Sequence, residues 1–337
     1  IALRFLHDPK TAAALFAEIP KGSVSPHVLS RGRYWQGRAA EAMGLRGDAK
    51  AFYRSAAEHS ATYYGQLARV RLGLDDLGLH GPPKFTAAQR KIYDDLEVVR
   101  AVEILYTLDD RNLVASIFAE IGETGNDVGG MSAMAEIARK HGDGRAMVLL
   151  GEAAVRRGLP FDYYAYPVVG LPTFKPIAPP VGPAVTYAIA RQESRFNQNV
   201  MSPARAMGLM QVTPMAGKDT ARRYKVHYSH DRLRKDAVYN VQMGAAQLSH
   251  LLHYFHGSYL LSFAAYNAGL GRVRQWMEIY GDPRDPSVDP VDWVERLPYS
   301  ETRNYVMRTL ENFEVYRARF KKDGTLLIEA DLRRGGG

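Results

Sequence analysis

The stretch Ala184-Val-Thr-Tyr-Ala-Ile-Ala-Arg-Gln-Glu-Ser-Arg-Phe196 carries the pattern on which the fold assignment depends. Positions 185, 189 and 193 are four residues apart, so Val185, Ile189 and Glu193 lie along one stripe of a predicted helix. A carboxyl group at the edge of an apolar core loses hydration, which raises its pKa, as a general acid near neutral pH requires. The alternative is a solvated glutamate in the frayed last turn of a surface helix.

A proline-rich stretch precedes this helix. Residues 171–183 hold prolines at positions 172, 176, 179, 180 and 183, which exclude a helix interior and predict an extended linker. Apolar residues at helical spacing return beyond the linker, and we find no convincing set of alternating strands. We therefore expect a helical domain over residues 184–320, followed by a C-terminal tail over residues 321–337 whose glycine-rich end is frayed.

The part of the chain before the linker is typical of stacked helices. From Lys10 to about Leu159 it forms amphipathic patterns rich in Ala, Leu, Tyr and Arg, with Gly where each pattern stops. Residues 34–44 and 63–73 share an aromatic start and a glycine stop, which favours antiparallel helix pairs in a solenoid over residues 1–170. Chance similarity within an Ala-rich helical region is the alternative. The predicted fold class is all-α, a superhelical solenoid followed by a second helical domain.

Composition excludes several classes of site. The 337 residues are enough for two structural units, and their net charge of +8 with a pI near 9.4 favours anionic partners. The absence of cysteine excludes disulfides, thiolate metal sites and a cysteine nucleophile. No apolar run is long enough for a transmembrane helix. Because the chain begins at Ile1 without a charged, apolar leader, we expect a processed or truncated chain.

Four sequence blocks follow one another in the second half of the chain. They are Glu193-Ser194, Gly208-Leu-Met-Gln211, Ala264-Ala-Tyr-Asn-Ala-Gly269 and Ser300-Glu-Thr-Arg303. In this order the blocks resemble the catalytic domain of the soluble lytic transglycosylases, distant relatives of goose-type lysozyme. Tyr34-Trp-Gln-Gly-Arg-Ala39 and Tyr63-Tyr-Gly-Gln-Leu-Ala68 resemble helices that close the ring-shaped superhelical domain of longer members. The resemblance thus implies a lysozyme-like fold for residues 184–320 and covers most of the chain.

The resemblance also implies a reaction. Such enzymes cleave the β-1,4 bond between N-acetylmuramic acid and N-acetylglucosamine in peptidoglycan and leave a 1,6-anhydro ring. It makes Glu193 the single acid and base, and it assigns substrate binding to Ser202, Gln211, Tyr266 and Glu301. It implies peptidoglycan strands as partner, with cell-wall synthesis or remodelling proteins as further partners, and a periplasmic location. No metal or cofactor is expected.

Each substrate-binding assignment has a structural alternative. Gln211 would only cap a helix, Tyr266 would belong to the core, and Glu301 would be a favourable charge in a first helical turn after Ser300 as N-cap. The chain also departs from the family pattern, with Arg205 where many relatives have Gly and Thr213 where some have Met. Both departures put the substrate preference in doubt.

Other functions remain open at this stage. A hydrolytic muramidase and an inactive glycan-binding scaffold both fit the same fold. Nucleic-acid binding rests on net charge alone, since no recognised binding module supports it. His250, His253 and His256 recur every third residue, but on a helix the third falls far from the first, so we do not expect a metal site.

Overall fold

The computed structural model describes residues 1–321 and 324–335, and helices dominate them. Two isolated β-bridges, between Met201 and Met207 and between Met207 and Val212, are the extended pairings recorded in this part of the chain. The prediction of an all-α fold is confirmed. The helices are α1 (Pro9–Glu18), α2 (Pro26–Ala42), α3 (Arg46–Ala57), α4 (Tyr63–Arg71), α5 (Ala87–Asp94), α6 (Glu97–Thr107), α7 (Arg111–Thr124), α8 (Val128–Lys140), α9 (Gly144–Arg156), α10 (Asp162–Ala165), α11 (Pro183–Ser194), α12 (Pro214–Tyr224), α13 (His230–Lys235), α14 (Ala237–Tyr254), α15 (Tyr259–Ala268), α16 (Leu270–Tyr280), α17 (Pro290–Glu295), α18 (Ser300–Phe320) and α19 (Ile328–Arg333).

Packing divides the chain into two compact units. The first unit combines residues 1–78 with residues 248–337, and the second contains residues 79–247. The proline-rich linker at 171–183 lies inside the second unit, where it runs without a helix until Pro183 opens α11. The domains expected from the sequence are consecutive ranges of the chain, whereas the first packing unit combines its two ends. The expected domain boundaries stay a prediction.

Glycine stops end two helices of the first unit in the same way. Gly44 and Gly73 have φ angles of 75° and 74°, a left-handed conformation that costs glycine little. The residue after each glycine then donates its N–H back into the helix, from Leu45 to Ala40 and from Leu74 to Arg69, both at 2.9 Å. The predicted glycine stops are thus correct. The predicted aromatic starts are correct for Tyr63, the first residue of α4, but Tyr34 lies in the middle of α2.

A buried carboxylate joins the two parts of the first unit. Glu311 of α18 is 1% exposed and accepts hydrogen bonds from His27 Nε2 at 2.9 Å and from the backbone N–H of Tyr63 at 2.7 Å. Arg308 Nη1 also donates to it at 2.9 Å. Burial alone would raise the pKa of Glu311, but the charges of His27 and Arg308 and their hydrogen bonds lower it to about 2. An anionic carboxylate therefore connects α18 with α2 and α4.

The C-terminal region ends in a short packed helix. Ile328 and Leu332 of α19 are fully buried, and Asp331 forms an ion pair with Arg317 of α18. Part of the region predicted as a tail is therefore held in the core of the first unit. The expectation of a frayed glycine-rich end from Arg333 falls partly on residues 336–337, which lie outside the described residues.

A hydrophobic cluster of the second unit lies among α6 to α10. Its fully or almost fully buried side chains include Val102, Val114, Phe118, Met134, Met147, Leu150 and Phe161. Gly122 lets α7 approach α9 closely, because a Cβ atom there would lie 2.7 Å from the Ala153 side chain. Such small contact residues are what the sequence predicts for stacked helix pairs. Across the described residues, every helix is too short or too polar to cross a membrane.

Candidate active site

Helix α11 carries the candidate catalytic glutamate near its end. Val185 and Ile189 are 3% and 0% exposed, as the predicted apolar stripe requires, and Glu193 is partly buried. The helix ends at Arg195 and Phe196, two successive residues with positive φ angles of 48° and 59°. The Glu193 side chain therefore lies at the edge of the core rather than on a fully solvated face.

Two arginines hold the end of α11 against α9. Arg191 is 8% exposed, donates to the Ala165 carbonyl at 3.0 Å and forms an ion pair with Glu152 at 2.9 Å. Its guanidinium lies 4.1 Å from the centre of the Tyr166 ring. Arg195 contacts the other oxygen of Glu152 at 3.1 Å. Because the Glu152 carboxylate forms ion pairs with both guanidinium groups, it fixes the position of the last turn of α11, which carries Glu193.

A tight turn follows α11 and contains the Gly-Leu-Met-Gln block. Met207 and Val212 exchange both backbone hydrogen bonds at 3.1 Å, and Gln211 donates its N–H to the Gly208 carbonyl at 3.1 Å. Gly208 has a φ of 73°, and a Cβ atom there would lie 2.4 Å from the Asn240 amide. Glycine is required at this position both by the backbone conformation and by the space.

Asn240 of α14 holds the turn from inside. It is fully buried, and its Oδ1 accepts from the Met210 N–H at 2.9 Å. Its Nδ2 donates to the carbonyls of Met207 and Leu233 at 2.8 and 2.9 Å. The side-chain amide thus hydrogen-bonds three buried backbone groups, of which the Met207 carbonyl also accepts from the Val212 N–H. We did not identify Asn240 from the sequence, although a neutral amide on an apolar helix face is a signal for such a role.

Ser194 connects the two blocks directly. Its hydroxyl lies 3.1 Å from the Ala190 carbonyl within α11 and 2.8 Å from the Leu209 carbonyl in the turn. The residue next to Glu193 therefore connects α11 to the Gly-Leu-Met-Gln block.

Gln211 uses one end of its side chain for structure. Its Nε2 donates to the carbonyls of Val200 at 3.1 Å and Gly208 at 2.9 Å. Two carbonyl acceptors fix the orientation of the amide, because only the nitrogen donates. The Oε1 is then the end available to accept from a ligand. Gln211 does not cap a helix, since Thr213 is the N-cap of α12, where its hydroxyl oxygen accepts from the Ala216 N–H at 3.2 Å.

Ser202 closes the loop that precedes the turn. Its hydroxyl oxygen accepts from the Ala206 N–H at 3.0 Å, and its own N–H donates to the Ala206 carbonyl at 2.9 Å. Arg205, inside this loop, has a φ of 58°. The departure from glycine at position 205 therefore places a side chain where the backbone is left-handed, which costs about 1–2 kcal/mol.

Replacing Arg205 by Gly is expected to raise the free energy of unfolding by up to about 1 kcal/mol, because the left-handed backbone is no longer strained. Arg205→Ala keeps the Cβ atom and is the matched control, for which we expect no comparable gain. Equilibrium urea unfolding measures both variants. An equal gain for Ala would assign the effect to loss of the exposed guanidinium and refute the backbone explanation.

Tyr266 and Glu301 lie in the first unit, whereas Glu193, Ser202 and Gln211 lie in the second. Tyr266 on α15 is 9% exposed, and its neighbour Asn267 accepts from the Thr302 hydroxyl at 2.7 Å. Glu301 is exposed in the first turn of α18. Tyr299 rather than Ser300 occupies the N-cap of that helix, so the suggested Ser300 cap is wrong.

Comparison with known proteins identifies the region that carries these residues. Residues 178–286 match the family described as Transglycosylase SLT domain. We term this matched range the SLT domain. Glu193, Ser202, Gln211 and Tyr266 lie inside the matched range, and Glu301 lies beyond its end.

The chain is similar to proteins named lytic murein transglycosylases. Over 144 residues the chain is 38% identical to the Soluble lytic murein transglycosylase of Escherichia coli (strain K12), a match that covers 42% of this chain and 22% of that protein. The crystal structure of the 70 kDa soluble lytic transglycosylase of Escherichia coli is similar, with a TM-score of 0.68 and 25% identity over 93% of this chain and 49% of that one.

An inactive mutant of the lytic transglycosylase Slt from Pseudomonas aeruginosa has the same fold, with a TM-score of 0.69, 24% identity and coverage of 95% of this chain and 50% of that one. The chain thus spans about half the length of these two solved structures. Outside the SLT domain the fold, including the helices before the linker, matches these all-α enzymes. The recognition of the soluble lytic transglycosylase pattern in the sequence is confirmed.

Proposed function

We propose that this chain is a peptidoglycan lytic transglycosylase and that Glu193 is its acid and base. The observation that carries the proposal is a partly buried carboxyl at the end of a helix that Arg191, Arg195 and Ser194 hold in place, inside an SLT domain. The names of the relatives support a murein substrate. A periplasmic location and cell-wall proteins as partners are part of the same proposal and follow from the family resemblance.

Glu193 serves two steps in the proposed reaction. Its carboxyl first protonates the oxygen that bridges N-acetylmuramic acid to N-acetylglucosamine, and the carboxylate then accepts the proton of the C6 hydroxyl of the same muramic acid. The bond between C1 and the bridging oxygen breaks, N-acetylglucosamine leaves with the proton from Glu193, and the C6 oxygen closes on C1 to form the 1,6-anhydro ring. Because the nucleophile belongs to the substrate, its effective concentration is high and no second catalytic carboxylate is needed.

The neighbouring turn supplies polar groups for the sugar. The Gln211 Oε1 accepts a hydroxyl or amide N–H, since both donors of its amide are engaged by backbone carbonyls. Ser202 is proposed to contact the acetamido group, with its hydroxyl oxygen oriented by the Ala206 N–H. Tyr266 and Glu301 are proposed as further substrate contacts on the family resemblance.

The products distinguish the proposed lyase from a hydrolase. Digestion of purified peptidoglycan is expected to release muropeptides that end in anhydromuramic acid, each lighter by one water than the product of hydrolysis. Mass spectrometry of the separated muropeptides measures the difference. A digest that contains reducing ends alone would replace the proposal with a hydrolytic muramidase, and the absence of any cleavage would favour a glycan-binding scaffold.

A further inference from the structure

Half of the net charge of the chain is concentrated beside the Gly-Leu-Met-Gln turn. Residues 218–236, which we term the basic segment, contain seven Lys and Arg against three Asp. The segment comprises most of α12, the connection that follows and α13. The charge of the whole chain is +8, so these few residues contribute about half of it.

Four cations of the basic segment form no ion pair with any residue that the structure describes. Arg222, Arg232 and Lys235 are neutralised by Asp219, Asp236 and Asp231 within the segment. The remaining cations of the segment are Lys218, Arg223, Lys225 and Arg234. All four are exposed, and none forms an ion pair within residues 1–321 and 324–335. Their charges are available to an external anion.

The basic segment is folded as one piece. Gly217 packs against the connection and α13, since a Cβ atom there would lie 2.9 Å from the Tyr228 ring and 3.3 Å from the Leu233 side chain. The Tyr239 hydroxyl donates to the His227 carbonyl at 2.9 Å and accepts from the Ser229 N–H at 3.1 Å. The four cations therefore project from a fixed scaffold rather than from a free loop.

Two side-chain amides tie this scaffold to the candidate site. Gln198, shortly after α11, donates to the Arg234 carbonyl at 2.9 Å. Asn240 donates to the Leu233 carbonyl while its Oδ1 holds the Met210 N–H of the turn. An anion bound on the basic segment is consequently held at a fixed distance from the Gly208–Gln211 turn.

We propose that the basic segment is a docking surface for the carboxylate-bearing peptide stems of peptidoglycan, which it holds in register with the cleaved glycan strand. The proposal rests on the proposed function for its choice of polymer. Charge complementarity supports an anionic polymer. A lipid surface is disfavoured because Ala221 and Leu233, apolar residues of the segment, are buried and cannot insert into a bilayer.

The test measures binding to insoluble peptidoglycan by co-sedimentation at low and high salt. All proteins carry Glu193→Gln so that the polymer stays intact. Replacing Lys218, Arg223, Lys225 and Arg234 by Gln is expected to weaken binding about tenfold at low salt and to reduce its salt dependence. The matched control replaces two lysines and two arginines elsewhere, Lys50, Arg54, Arg90 and Lys91, which are also exposed; we expect less than about a twofold change.

Blocking the polymer carboxyls by chemical amidation provides the second comparison. The parent protein and the basic-segment variant are then expected to bind equally weakly. Equal loss in the control variant would overturn the proposal, as would unchanged binding in the basic-segment variant. If the basic-segment variant loses binding to anionic phospholipid vesicles but binds peptidoglycan as the parent does, the proposal is overturned in favour of a membrane surface.

The experiments test the docking surface and the proposed catalytic function independently of each other. If the chain with Glu193 intact releases no anhydro products while the basic segment still governs binding, the catalytic proposal is wrong and the docking surface stands. If anhydro products appear and the basic-segment variant binds and cleaves as the parent does, the docking surface is wrong and the catalytic proposal stands.

Discussion

Glu193→Gln is expected to lower the rate of peptidoglycan cleavage by about a thousandfold or more, since general acid and general base catalysis each contribute on the order of 10²–10⁴. The amide is nearly the same size as the carboxyl, so the end of α11 keeps its packing. It can neither donate the proton that the leaving oxygen needs nor accept one from the C6 hydroxyl. Release of soluble muropeptides, with the melting temperature measured in parallel, tests this result.

The matched control for this substitution is Glu278→Gln. Glu278 is an exposed glutamate on α16, inside the same SLT domain, and among the described residues it forms no ion pair. We expect its cleavage rate to stay within about twofold of the parent, because a solvated surface carboxyl contributes little. Cleavage by Glu193→Gln at a rate within about tenfold of the parent would mean that another group performs the proton transfers.

Asn240→Ala is expected to lower the free energy of unfolding by about 2 kcal/mol or more, because each buried backbone group left without a partner costs about 1–3 kcal/mol. The Met210 N–H and the Leu233 carbonyl lose their hydrogen bond to Asn240, whereas the Met207 carbonyl keeps the Val212 N–H as a partner. Cleavage is expected to fall as well, since the turn that bears Gln211 loses its internal support. Equilibrium urea unfolding and the muropeptide assay measure the two effects.

Asn240→Asp separates the role of the donor from that of the acceptor. The carboxylate still accepts from the Met210 N–H but faces two carbonyl oxygens, so burial and repulsion should raise its pKa in the folded protein. Stability is then retained below the unfolded pKa and lost as the pH rises through the folded value. The variant should therefore be less impaired in acid than at neutral pH. A loss that is the same at both pH values would contradict the hydrogen-bond assignment.

Asn199→Ala controls for the loss of an amide side chain as such. Asn199 is exposed in the same unit, and the bond from its backbone N–H to Asn197 Oδ1 survives the substitution. We expect a change of about 0.5 kcal/mol or less, as for surface positions in general. A loss similar to that of Asn240→Ala would show that the effect does not depend on the buried hydrogen bonds.

Local patterns predicted much of the fold correctly because they reflect constraints that act over a few residues. The stripe of Val185 and Ile189 is buried, and the proline-rich stretch stays free of helix until Pro183. The glycine stops at Gly44 and Gly73 have the left-handed conformation that only glycine adopts cheaply. The misplaced aromatic start at Tyr34 shows the limit of this approach, since an aromatic residue packs equally well in the middle of a helix.

The sequence by itself determined the helical class and the ordered blocks of the SLT domain, because periodicity and motif spacing are properties of neighbouring residues. The catalytic role of Glu193 stays a prediction that the family resemblance supplied. Only the tertiary structure decided what holds these parts in place. Glu152 forms ion pairs with Arg191 and Arg195. Asn240 forms hydrogen bonds with a turn some 30 residues before it, and Glu311 does so with helices from the start of the chain. Such partners are distant in sequence, and a buried polar side chain acquires its hydrogen bonds from whichever backbone the fold brings to it.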